Sequence, residues 1–81
     1  MKSFKKWVIE KYDGADDPKG DFAEDLKRDK NFPMWVRDGY VIKWYLKYTC
    51  KACEEAIETF EELWQSYCFY RQNEKRAAGN R

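Results

Sequence analysis

The chain has 81 residues, a formal net charge of +1, no histidine, and 38% charged against 43% hydrophobic residues. That length allows one domain around one modest core, and so small a net charge excludes a whole-molecule field that draws nucleic acid or an anionic membrane. Five Phe, four Trp and six Tyr offset the short length, because large rings bury much area per residue.

The first predicted helix runs from Phe4 to Tyr12, with Ser3 as its N-cap. A serine hydroxyl can accept from the free N–H groups of the first turn. Phe4, Trp7, Val8 and Tyr12 follow an i, i+3, i+4, i+8 pattern and share one face. Asp13-Gly14 ends the helix, since glycine tolerates a left-handed turn.

Residues 13 to 20 read as a loop rich in Asp, Gly and Pro. The second helix has two candidate starts. One is Asp17 with Pro18 at the first helical position; the other is a capping box of Asp21 with Glu24. Phe22, Ala23 and Leu26 form its inner face. Asn31-Phe32-Pro33 ends it, because proline disfavours helical geometry in the residue before it.

The third helix is expected from about Asp38 to Tyr48, with Val41, Ile42, Tyr45 and Leu46 as its core stripe and Trp44 and Tyr48 on a half-exposed flank. A short fourth helix spans about Cys50 to Ile57, capped by Thr49, with Cys53, Ala56 and Ile57 pointing one way. The fifth opens on a capping box of Thr59 and Glu62. It repeats Phe60, Leu63, Trp64, Tyr67 and Cys68 at helical spacing to about Asn73. Glu58 before Thr59 leaves room for helices four and five to join through a bend. The expectation is a single all-α domain over residues 1–73, a compact bundle of four to five helices with a long last helix. Residues 74–81, small, polar and charged, read as a disordered tail.

Several of these blocks resemble one family. Met1-Lys2-Ser3-Phe4, Phe22-Ala23 leading to Asp29 and Phe32-Pro33, the Tyr45-Leu46 pair, and the run from Thr59-Phe60 to Trp64 and Tyr67 look like the YozE-like family of small Gram-positive bacterial proteins. The resemblance covers roughly residues 1 to 70. It implies a fold similar to sterile alpha motif (SAM) domains. Its motifs are caps and core anchors, so it implies no activity. One departure stands out: the segment after Phe32-Pro33 tends to be polar in similar proteins, and here it reads Met34-Trp35-Val36.

Catalytic chemistry has little foothold, so no enzymatic activity, cofactor or metal is expected. Without histidine the commonest acid/base group and metal ligand is missing. No glycine-rich phosphate loop exists. Glu54, Glu55, Glu58, Glu61 and Glu62 read as a solvated helical face. Cys50-Lys51-Ala52-Cys53 has CxxC spacing, but a closed zinc site needs two further ligands and only Cys68 remains. Cys53 and Cys68 instead fit core positions as small apolar residues.

Two surfaces remain. Lys43, Lys47 and Lys51 recur at i, i+4, i+8 beside Tyr40, Trp44 and Tyr48. With Lys27 and Arg28 they form a candidate nucleic-acid ridge, since phosphates take cations and bases stack on rings. The alternative is a lysine-coated flank with tucked aromatic stems. Lys27, Arg28 and Lys30 against the acidic residues 54 to 62 also admit head-to-tail self-association, or simple pairing within one molecule. The second surface is Met34, Trp35, Val36 and Arg37 with Tyr40 and Trp44 beside them, since Trp, Tyr and Arg dominate interface hot spots.

The function expected from these residues is a non-catalytic module that binds an unidentified protein through that second surface. It could serve as an adaptor, or as an inhibitor of a host enzyme carried by a phage or mobile element. Nucleic-acid binding is the alternative. No segment is apolar enough to span a bilayer, no continuous apolar run follows the N-terminal lysines as in a signal peptide, and three cysteines without secretory context favour a cytoplasmic location.

Overall fold

The computed structural model describes residues 2–79, with side chains through Arg76. The elements in chain order are α1 (Phe4–Tyr12), α2 (Pro18–Arg28), α3 (Gly39–Trp44), a π-helical turn (Tyr45–Thr49) that continues α3, and α4 (Glu54–Gly79). Among the described residues there is no strand.

α1 forms as its pattern predicts. The Ser3 hydroxyl accepts from the Lys6 N–H at 3.3 Å, and Phe4, Trp7 and Val8 are buried while Tyr12 is half-buried. Of the two candidate starts for α2, the first is correct: the Asp17 carboxylate accepts from the Gly20 N–H at 2.8 Å and Pro18 takes the first turn. Asp21 is no cap, because its N–H already bonds the Asp17 carbonyl, and Glu24 pairs with Arg28 instead.

α2 also ends earlier than Asn31. Its last residue is Arg28, and Asp29 leaves helical geometry at φ −88°, ψ 100°. The Asp29 side chain accepts from the Asn31 N–H at 3.0 Å. This short side-chain turn offers the backbone an alternative to another helical bond, so the chain stops before proline has to stop it.

The largest revision concerns residues 50 to 59. No helix starts at Cys50. The π-helical turn closes with the Cys50 N–H on the Tyr45 carbonyl at 3.1 Å and the Ala52 N–H on the Leu46 carbonyl at 2.9 Å. Lys51 sits at φ 51°, the left-handed conformation that commonly ends helices. Helix then resumes at Glu54 and runs unbroken through Gly79.

Thr59 therefore caps nothing. It is buried inside α4, and its hydroxyl donates to the Glu55 carbonyl at 3.0 Å. That back-bond satisfies the hydroxyl within the helix, and Glu54-Glu55-Ala56-Ile57-Glu58 contains no glycine or proline to break it. Residues 74–79 are helical as well, where the sequence suggested a tail; Asn80 and Arg81 lie outside the described residues.

The core is aromatic and centres on Phe4. Its ring lies 5.3 Å from Trp64, 5.5 Å from Tyr67 and 5.6 Å from Phe60, centroid to centroid. Phe22 and Phe32 close the other side at 6.4 and 6.3 Å. Val8, Ala23, Leu26, Ile42, Leu46 and Leu63 fill the gaps. The Tyr67 hydroxyl donates to the Lys2 carbonyl at 2.6 Å, which ties the N-terminus to α4. Val41, expected in the core stripe of α3, is exposed. α3 is short and meets the bundle along one edge, so only Ile42 of its helical turns is fully buried.

Candidate functional site

The connection between α2 and α3 runs across residues 29–38 and is held at its two ends. At the first, Phe32 is buried in the core. At the second, the Asp38 carboxylate accepts from the Tyr40 N–H at 2.9 Å and starts α3. Val36 is half-buried and packs on the core, so it anchors the loop more than it presents a surface. Trp35, between these anchors, is 77% exposed. The chain bends at Trp35 and again at Arg37, and between the two bends Val36 packs on the core while Trp35 is left outside.

α3 continues the exposed surface. Tyr40 is 70% exposed, Trp44 61% and Tyr48 57%, and Val41 is also exposed. Tyr40, Trp44 and Tyr48 are spaced four residues apart, about one helical turn, while Ile42 and Leu46 turn inward. Trp44 and Tyr48 stack with centroids 4.5 Å apart. Lys47 lies 5.7 Å from the Tyr48 ring, within cation–π range. Met34 and Arg37 are exposed too. Apart from Phe69 on α4, the large exposed apolar side chains of the described residues all fall between Met34 and Tyr48. A small protein rarely leaves so much apolar surface in one segment without use for it.

The lysine ridge is less regular than its spacing suggests. Lys43 pairs with Glu61 across to α4 at 3.5 Å. Lys51 lies past the end of the helix in the left-handed position, so the three lysines do not follow one helical row. Lys27 pairs with Asp13 at 3.0 Å and Arg28 with Glu24. Lys27, Arg28 and Lys43 are thus matched within one molecule, while of the glutamates between 54 and 62 an ion pair is formed by Glu61.

Behind the aromatic face is a polar cluster that sequence reasoning missed. The Asp29 carboxylate accepts from the Tyr45 hydroxyl at 2.6 Å, and the Cys50 sulfhydryl stands 3.7 Å from the same oxygen. Lys5 donates to the Asp29 carbonyl at 2.6 Å. Burial pushes the Asp29 carboxyl up, but the Tyr45 hydroxyl and the Asn31 N–H outweigh it and hold the group below its ordinary value. The hydrogen bond to Asp29 and then burial push the Tyr45 phenol well above its own. Burial, with the nearby Asp29 charge, raises the Cys50 thiol. A raised thiol is a weak nucleophile at neutral pH.

These groups border a cavity of about 500 Å³ between α2, the π-helical turn and the start of α4. π-helical insertions recur at functional positions. Here the wider turn lets Tyr45 reach Asp29 while Leu46 stays buried. The sequence signal for this cluster was Asp29 two residues before Asn31, a side-chain turn pattern. Nothing local in the sequence joins it to Tyr45.

The cysteines divide differently from expectation. Cys68 is half-buried, but Cys53 is exposed at the same cavity rim as Cys50. Its place before the first turn of α4, where the Ile57 N–H bonds its carbonyl at 3.1 Å, keeps it out of the core. Among the described residues no three acidic or thiol side chains converge to hold a metal ion. Among the described residues no helix is long and apolar enough to cross a membrane.

No curated protein and no solved structure matches the chain. A family model does, over the stretch that contains the Ser3 cap, the aromatic core and the exposed α3 face. Residues 3–68 match the YozE SAM-like fold, and with most of its length inside that match this chain belongs to the YozE SAM-like family.

Proposed function

We propose that this protein is a non-catalytic interaction module that binds another protein through Trp35, Tyr40 and Trp44, with Met34 and Arg37 at the margin and Val36 holding the loop. The observation that carries the reading is Trp35, a large ring left 77% exposed between two anchored loop ends. Exposed rings with an adjacent arginine are the composition of binding hot spots. An adaptor and an enzyme inhibitor both use such a surface. Three unpaired cysteines fit a cytoplasmic setting, where thiols stay reduced. Capture from lysate with mass spectrometry identifies the partner. Trp35→Ala combined with Met34→Ser is expected to abolish that capture, and unchanged affinity of the double variant rejects the reading.

One observation favours nucleic acid as a second reading: the Trp44–Tyr48 stack with Lys47 beside it resembles a base-stacking platform. Single-stranded oligonucleotide binding that falls steeply with salt supports it. A gel shift at low salt showing no complex removes it. Head-to-tail self-association receives less support, because Lys27, Arg28 and Lys43 already pair with carboxylates of their own molecule.

A further inference from the structure

The exposed aromatic segment also has a charge of its own. Residues 34–51 hold Arg37, Lys43, Lys47 and Lys51 against one carboxylate, Asp38. With a whole-chain net charge of +1, the remainder of the molecule is net acidic. The stretch that carries the exposed rings therefore carries net positive charge; Lys43 is paired with Glu61 and Lys51 lies past the helix end, which leaves Arg37 and Lys47 as its exposed cations beside the rings. Lys43 and Lys47 each stand one residue before a ring of the stripe, Trp44 and Tyr48. Asp38, the lone acid, is committed to capping α3. Indole N–H and phenol O–H groups add donors to the same face. A surface of rings, donors and cations is complementary to apolar anchors flanked by acceptors of negative charge.

We infer that this face takes an acidic amphipathic helix of another protein, with apolar side chains along one face and Asp or Glu beside them. The proposal rests on the protein-binding reading above and names the partner's chemistry. The apolar anchors pack on Tyr40, Trp44 and Tyr48, which recur at one-turn intervals and so present a continuous ridge. The partner's carboxylates meet Arg37 and Lys47, both exposed.

The flank toward α4 decides against a phosphate backbone. There a groove of about 280 Å³ lies between α3 and α4 and contains Asp38 and Glu61 beside Tyr40, Lys43 and Trp64. Glu61 also holds Lys43. A continuous row of phosphates passing this flank meets two carboxylates and finds one of its lysines taken. A peptide can place its few acids opposite Arg37 and Lys47 and present apolar or neutral groups to the groove.

The test uses the full chain and three probes: a synthetic Trp-free helical peptide with Leu at i, i+3, i+4 and i+7 and Glu at the flanking positions, the same peptide with Lys for Glu, and a dT oligonucleotide. Binding is read by Trp fluorescence and by side-chain NMR shifts of Trp35, Tyr40 and Trp44. The expected result is that the Glu peptide binds at least about tenfold tighter than the Lys peptide and shifts those rings. Arg37→Glu with Lys47→Glu reverses the order of the two peptides, with the melting temperature unchanged. Equal binding of both peptides, no binding of either, or preference for the oligonucleotide overturns the proposal. The broader reading fails separately, through the Trp35→Ala and Met34→Ser capture, so a partner lost there but indifferent to charge here rejects the inference alone.

Discussion

Phe4 and Trp35 show what decides the value of an aromatic residue in this protein. Phe4 is fully buried among Phe22, Phe32, Phe60, Trp64 and Tyr67. Its replacement by alanine removes buried area and leaves a cavity, so Phe4→Ala is expected to cost about 3–5 kcal/mol in chemical denaturation. Trp35→Ala removes a ring that mostly faces water, and its stability change is expected within about 0.5 kcal/mol. Asp29 is a third case. Asp29→Ala leaves the Tyr45 hydroxyl without its 2.6 Å acceptor and should cost about 1–3 kcal/mol. The Asp29 carboxyl is held below its ordinary value in the fold, so its contribution is present above the usual aspartate range. That contribution is lost as pH falls through the folded value, below about pH 4. Acid titration of stability should show a shallower fall for Asp29→Asn than for the parent chain. Tyr45 behaves as the mirror image: its raised phenol contributes below the ordinary tyrosine value and loses that contribution as pH climbs past about 10. Each ring and cap can be named from the sequence, but whether a ring ends inside or outside depends on neighbours distant in the chain.

At the scale of elements, local signals hold where one residue suffices and fail where a choice exists. Ser3 and Asp17 cap as their chemistry predicts, and Asp17→Ala should cost about 1 kcal/mol. Thr59 carries the same cap signature but sits inside α4, so loss of its 3.0 Å back-bond should leave helix content unchanged by circular dichroism. Lys51 holds the left-handed position that costs a side-chain-bearing residue roughly 1–2 kcal/mol. Lys51→Gly is expected to raise stability by about 0.5–1 kcal/mol once the greater freedom of the unfolded chain is counted. Gly20 runs the other way. Alanine is normally better than glycine inside a helix by about 1 kcal/mol, but a Cβ at Gly20 would stand 1.8 Å from the Ala15 carbonyl oxygen. That neighbour is backbone and cannot yield cheaply, so Gly20→Ala should destabilise despite its higher propensity. A similar close approach at Gly39 lets the Trp64 indole lie against the start of α3. The break between α3 and α4 falls at residues 50–53, where the spacing predicts helix, for a comparable reason. Cys50 to Ile57 has helical periodicity, but the hydrogen bonds to Tyr45 and Leu46 that close the π-helical turn interrupt it.

For the whole molecule, α4 is the backbone of the bundle. Its 26 residues span about 39 Å at 1.5 Å per residue, close to the 43 Å long axis. Its buried anchors are Thr59, Phe60, Leu63 and Tyr67, and residues 72–76 are exposed. Ending the chain after Asn73 should therefore move the melting temperature by only a few degrees, since little buried area is lost. The amino-acid sequence by itself determined the helical class, the family resemblance, the Ser3 cap of the first helix and the aromatic core, because these follow from spacing and from the chemistry of single residues; for α2 it offered Asp17 and Asp21, and the fold chose Asp17. Tertiary structure alone decided that Val36 packs on the core while Trp35 is exposed, that Val41 lies outside, that Asp29 meets Tyr45 and Cys50, and that Lys43 is taken up by Glu61. Those outcomes depend on contacts between segments far apart in the chain, and periodicity along one helix carries no information about what a neighbouring helix covers.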